Sequence, residues 1–226
     1  MNFRPSKHDR ADFGKLASQY SLTYYGTVIP ENDTDYLPVR GLTASPEQVD
    51  DNYCAGSISG IFTEVLQRSH DIIDRTGKTK RLACTIVAVD SPTVLPHLII
   101  AHRGEHNVLA ADLISYLRIY EIKPSEFRVS IAEDFANKFA IYSTRSDSEE
   151  MGILLQPDLQ AMLSVHFAHF DYEFVDKKLY VYSGIPHPKL IDLDHQVRVA
   201  IWLAKRIADI DFTAYGHGNP TEIVEE

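Results

Sequence analysis

The sequence predicts an α+β fold, a mainly antiparallel sheet of about seven or eight strands packed by helices on one face. Three observations carry this. Between Tyr53 and His102, apolar runs follow one another with only short polar breaks, the pattern of a meander. The apolar period then becomes helical in two blocks, around 147–167 and 190–210, where residues recur at spacings of three and four. Third, the strand runs are not separated by the regular helical crossovers that a parallel sheet needs.

Size and composition bound the rest. The chain has 226 residues, enough for a sizeable core, and reads as one domain over 1–212. The Gly-, Pro- and Glu-rich acidic tail at 213–226 is expected to be disordered. Hydrophobic residues make up 44% and charged residues 24%, the proportions of a soluble globular protein. The net charge of −10 repels phosphate backbones and anionic lipid, so no nucleic-acid partner is expected. Lys78-Thr79-Lys80-Arg81 reads as a solvated hairpin tip. No apolar stretch follows the N-terminal charges and no run is long enough to cross a bilayer, which makes the cytoplasm the expected location.

In chain order, residues 1–8 read as frayed. Phe13, Leu16, Ala17 and Tyr20 then mark a short amphipathic helix, and Leu22–Val28 a strand. From Pro30 to Asn52 the composition turns to Pro, Asp, Glu and Ser, a long loop able to cover a site. Four strands are expected next, over 53–62, 64–73, 81–89 and 95–102, with Ser91-Pro92 and Leu95-Pro96 breaking the chain between the last two. Leu109, Leu113, Tyr116, Leu117 and Tyr120 line a helix within 106–120, and 127–130 returns to a strand.

The stretch 133–184 organises the remainder. Phe139, Ile141 and Ser143 alternate with Ala140, Tyr142 and Thr144 as one strand. Asp147-Ser148-Glu149-Glu150 has the capping-box form, and Met151, Leu154 and Leu155 follow as an apolar stripe. Pro157 ends that helix and starts another, whose face carries Leu159, Met162, Leu163, His166 and Phe167. Two alternating runs on either side of Asp176-Lys177 predict a hairpin. A long helix over 190–210, capped by Asp192 or Asp194, buries Leu193, Val197, Ala200, Ile201, Ala204, Ile207 and Ala208. Val199, Trp202 and Leu203 lie off that face, so the helix is either deeply buried or meets a partner.

The order Glu133, Phe135, Phe139-x-Ile141-Tyr142, Leu154-Leu155-x-Pro157, Leu163 and Leu179-x-Val181, with Gly60 and Leu95-Pro96 upstream, resembles an uncharacterised bacterial domain family of unknown function. That family has membrane-anchored members and soluble, actinobacterial-type members, and the likeness spans about residues 13–184. Where the family tends to have Ala in the first helix of the unit, this chain has Met151. The resemblance implies a shared fold and, for some relatives, work near a membrane. It implies no catalytic residues.

The residues themselves point to little chemistry. His166-x-x-His169 has the wrong spacing for a two-histidine helix site and no acid between, so His166 is expected to be packed in the core and His169 in a loop. His97, His102 and His106 cluster around one strand and its exit, but a strand puts the first two on opposite faces. No metal and no cofactor are expected, and the catalytic residues are unknown. Cys54 and Cys84 sit in strands and are expected to be free, buried thiols. Gly56-Ser57-Ile58-Ser59-Gly60 matches no phosphate loop. Glu133-Asp134 is a solvated acid pair. The expected function is that of a non-enzymatic soluble interaction domain, binding protein through the C-terminal helix or a sheet edge. The alternative is a small-ligand-binding protein or hydrolase, with a pocket beneath the 30–52 loop.

Overall fold

The computed structural model describes residues 7–28, 41–44, 48–73, 77, 79–104, 107–109, 120–123, 130–143, 148–185 and 187–210. The expected helix at 106–120 and the expected strand at 127–130 fall mostly outside these residues, and the Asp147 cap and the acidic tail lie wholly outside them.

The chain begins with α1 (Lys7–Tyr20), β1 (Thr23–Val28), β2 (Val49–Ile58), β3 (Ile61–Ile73), β4 (Thr79–His102) and β5 (Tyr120–Glu121). It continues with α2 (Glu133–Lys138), β6 (Phe139–Ser143), α3 (Ser148–Leu154), α4 (Pro157–His166), β7 (Asp171–Ser183) and α5 (Leu190–Ala208). The seven strands form one open sheet in the order β1-β2-β3-β4-β6-β5, with β7 on the far side of β4. Every pairing is antiparallel. The α+β architecture read from the sequence is the one observed.

Several expected boundaries are corrected. The expected strand over 53–62 is interrupted by a two-residue hairpin turn between Ile58 and Ile61. Ser59 and Gly60 both have positive φ, 53° and 82°, the pair of left-handed residues that a tight β2–β3 turn needs. β2 already starts at Val49, so 49–52 belong to the sheet and not to the long loop. Tyr120 pairs with Ser143 in β5 and does not end a helix. In α5, Asp192 is the third helical residue, not the cap; its Oδ2 accepts from the Lys189 N–H at 2.9 Å.

The largest correction concerns the two longest strands. The expected runs 81–89 and 95–102 are one strand, β4, and the expected hairpin around Asp176-Lys177 is also one strand, β7. They pair from Thr85↔Ser183 to Ile100↔Tyr172, with the register slipping between Asp90 and Leu98. Asp176, at φ 52°, is a single left-handed residue opposite that slip, a bulge instead of a turn. Pro92 and Pro96 lie where the other side of β4 has lost β3, which ends its pairing at Val89, and has not yet met β6, which begins at Leu98. Proline donates no ladder hydrogen bond, so this gap is where a central strand tolerates it.

The slip moves the apolar phase by one residue in both strands together. Val87 and Val89 face the same core as Leu98 and Ile100, and Tyr172 and Phe174 the same core as Leu179 and Val181. The helices pack on that face. Phe13 and Leu16 of α1, Phe135 of α2, Leu154 of α3, Leu163 of α4 and Val197 of α5 all enter the one cluster. Val199 and Leu203 are buried there too, which answers most of the apolar excess of α5. Gln196 locks α5 across two strands, donating to the Thr85 carbonyl at 3.1 Å and the Val181 carbonyl at 2.8 Å.

The opposite face is buried as well. Tyr53, Leu66, Cys84, Ile86, Ala88, Ile99, Tyr180 and Tyr182 form a second core there, with the buried Glu64 and Glu173 bonded to its tyrosines.

Candidate functional site

The second face of the sheet is curled. Tyr182 Oη donates to Glu173 Oε2 at 2.5 Å, although the two are nine residues apart on β7. In a straight strand they would lie roughly 30 Å apart. The bulge at Asp176 therefore folds β7 back on itself, with the second face on the inside.

The segment 41–44 sits in this curl. The Leu42 N–H donates to Glu173 Oε2 at 2.9 Å. Gly41 has φ +118°, and a Cβ there would stand 2.5 Å from Tyr182 Oη, so both conformation and contact require glycine. Thr43, fully buried, accepts from Arg68 Nη1 at 3.3 Å. Arg68 lies directly across the ladder from Asp50 and grips it with two bonds, Nε–Oδ1 and Nη2–Oδ2, both 2.8 Å, with neither side chain exposed. Burial opposes the Arg68 charge, but the Asp50 carboxylate outweighs it and its pKa is raised. Gln48 adds a bond to Asp50 Oδ2 at 2.9 Å. Nearer the rim, Glu64 accepts from Tyr53 Oη and Lys178 Nζ, each at 2.9 Å. Burial pushes the Tyr180 phenol up, and Tyr182 well up, so both keep their protons.

A further buried acid, Asp171, opens β7. Asp171 Oδ1 accepts from the His102 N–H at 2.6 Å, and Oδ2 from the Val108 and Leu109 N–H groups at 2.5 and 3.0 Å. Burial raises its pKa to about 6, against the three donors, which lower it.

The residues singled out in the sequence are scattered. His97 points to the second face, with Nε2 3.4 Å from Glu173 Oε1. His102 ends β4, and His106 lies outside the described residues. His166 is exposed at the end of α4, not packed in the core as expected; the helix turns Leu159, Gln160, Leu163 and Ser164 inward instead. His169 is in the turn after α4. Glu133 and Asp134 are exposed in the first turn of α2, Asp134 pairing with Lys138 at 3.0 Å. Among the described residues no three His, Cys, Asp or Glu side chains gather as a metal site.

Cys54 and Cys84 are free and buried, and they enter opposite cores. The sheet itself separates them. Burial pushes both thiols up to about 12, far from the thiolate form that reacts. The purified, unreduced protein should therefore have the mass of two thiols and resist alkylation at pH 8 until denatured; a mass two protons lower would contradict the burial.

Sequence reading missed a surface group. Phe167, at the end of α4, has its ring centroid 5.9 Å from that of His195 and 5.6 Å from that of Trp202, both on α5. His169 lies 5.2 Å from His195 and 4.1 Å from Phe170. Trp202 remains half-buried. Val165 of α4 and Ile191 of α5 are 67% and 72% exposed. The signal was present in the off-face position of Trp202, but its ring partners come from another element.

No family model matches the chain, and no curated protein does. Among solved structures the chain is similar to the mycobacterial trehalose monomycolate transport factor A, TtfA, with a TM-score of 0.58 over 91% of this chain and 99% of that one. Identity is 12%, so the likeness is one of fold. Among the described residues no helix is long and apolar enough to cross a membrane.

Proposed function

We propose that this chain is a non-enzymatic protein-interaction module that docks a partner protein on the outer stripe of α5. The observation that carries this is the second, outward stripe of that helix. Ile191, His195 and Trp202 follow one another at i, i+4 and i+11, and Phe167 extends the surface sideways by contact with the last two. Large aromatic side chains half-open to water are the residue types that dominate binding energy at protein interfaces. The β1 edge of the sheet serves less well. β1 slips register twice against β2, around Gly26, and such bulges blunt an edge against strand addition.

The alternative, a small-ligand site beneath the loop, draws on the placement of 41–44 over Glu173 and Arg68. Those groups are already engaged by Tyr182, Leu42, Asp50 and Thr43, and a ligand would have to displace them. The fold neighbour is a transport factor, a role that suits binding better than catalysis.

The test is affinity capture of the full chain at pH 7.5 from its own cells. A stoichiometric protein partner should accompany the wild type and be lost from Ile191→Asp and Trp202→Ala, with Ile191→Asp melting as the wild type does. Equal capture by wild type and variants, or no stoichiometric partner, would overturn the reading.

A further inference from the structure

On the second face of the sheet, His97 and Glu173 stand diagonally across β4 and β7. Ile99 pairs with Glu173 in the ladder, and His97, two residues earlier, shares the face of Ile99. Glu173 Oε2 is held by the Tyr182 hydroxyl and the Leu42 N–H. Glu173 Oε1 takes no hydrogen bond among the described residues. His97 Nε2 lies 3.4 Å from it, buried and without a hydrogen-bond partner. We propose that His97 Nε2 and Glu173 Oε1 are the two protein ligands of a site for a divalent transition-metal ion of the zinc class, with water completing its coordination.

The two atoms are poorly placed to bond to each other. An imidazolium that faces a carboxylate closes to about 2.7–2.9 Å, whereas these stay at 3.4 Å and the ring nitrogen bonds to nothing. A tetrahedral ion accounts for that spacing. Zinc holds an imidazole nitrogen at about 2.0–2.1 Å and a carboxylate oxygen at about 2.0–2.2 Å, so two such ligands stand about 3.4 Å apart on a tetrahedron. The donor set also selects the ion. Imidazole suits zinc, copper, nickel and iron, while magnesium and calcium take oxygen donors.

Both ligands are fixed by their surroundings. The bonds from Tyr182 and Leu42 to Oε2 set the plane of the carboxylate and so the direction of Oε1; outer bonds of this kind orient metal ligands. The Ser143 hydroxyl donates to the His97 carbonyl at 2.6 Å and fixes the backbone that carries the ring. The His97 side chain is 28% exposed, which leaves a path for a hydrated ion. Two protein ligands are fewer than the three of catalytic zinc sites or the four of structural ones, in keeping with the lack of any gathering of three donor side chains among the described residues. The ion is therefore exchangeable, and a chelator removes it without unfolding the chain. The sequence pointed to no metal because an acid from another strand leaves no spacing motif around His97.

The site does not depend on the docking role of α5 and is tested on the full chain. The protein is freed of metal with a chelator and titrated with zinc chloride at pH 7.5 while its backbone amide resonances are followed. The amides of Leu42, Leu98 and Glu173 should shift saturably, while those of Ile191 and Trp202 stay in place. Tyr182→Phe, which removes only an outer bond, should weaken binding about ten-fold, and His97→Ala should weaken it further. His169→Gln should bind as the wild type does, which separates this site from the His169–His195 pair. Magnesium chloride at the same concentration should leave the three amides unmoved. No saturable shift at those amides, a shift that survives His97→Ala, or an equal response to magnesium would each overturn the site. Should Tyr182→Phe not fold, the comparison with His97→Ala, at a partly exposed position, decides.

Discussion

Asp50→Ala should cost about 3–5 kcal/mol, because it leaves the Arg68 guanidinium buried with its charge uncompensated. Arg68 has no exposed surface and reaches Asp50 through two bonds of 2.8 Å. Since a domain of ordinary stability has about 5–15 kcal/mol in total, the variant should be largely unfolded or have a much lower urea midpoint. The double variant Asp50→Leu/Arg68→Met should recover most of the loss, because removing both charges also removes their desolvation. The pair also clamps the segment 41–44 through Thr43, so proteolysis there should quicken in the double variant even where stability returns. An Asp50→Ala protein with the wild-type midpoint would mean that Arg68 escapes to water and that the clamp is not built as described.

Phe139→Ala is expected to be nearly as damaging, at about 3–5 kcal/mol, and Leu163→Ala to cost about 2–5 kcal/mol. Phe139 is 1% exposed and Leu163 fully buried, both in the core between sheet and helices. The Phe139 ring sits 5.0 Å from Phe135 and 6.3 Å from Tyr172, centroid to centroid, so its removal empties the junction of α2, β6 and β7. His169→Ala, at an exposed position in the turn after α4, should change the neutral-pH midpoint little. Chemical denaturation of the three variants gives the contrast directly. If Leu163→Ala matched the wild type while His169→Ala collapsed, the buried face of α4 would be wrongly placed.

The sequence alone determined the kind of object this is. Alternation of period two and spacing of three and four are local properties of a chain, so the antiparallel sheet, α1, α4 and α5 were legible, as was the placement of Phe139 and Leu163 in one core. His166 was misjudged for the same local reason. It continues the spacing of Leu159, Met162 and Leu163, but α4 ends there, where the chain turns away from the core. The tertiary structure decided everything that depends on a partner strand. A left-handed Asp176 suits a turn or a bulge equally, and only β4, slipping at the same level, makes β7 one strand instead of a hairpin. Pro92 and Pro96 look like breaks until their place in the gap between β3 and β6 is known. Asp50 with Arg68, Glu173 with Tyr182, and Phe167 with Trp202 are separated by 18, 9 and 35 residues, yet they touch. Their bonds depend on the curl of the sheet and the docking of α5, which are non-local and leave no periodicity in the chain.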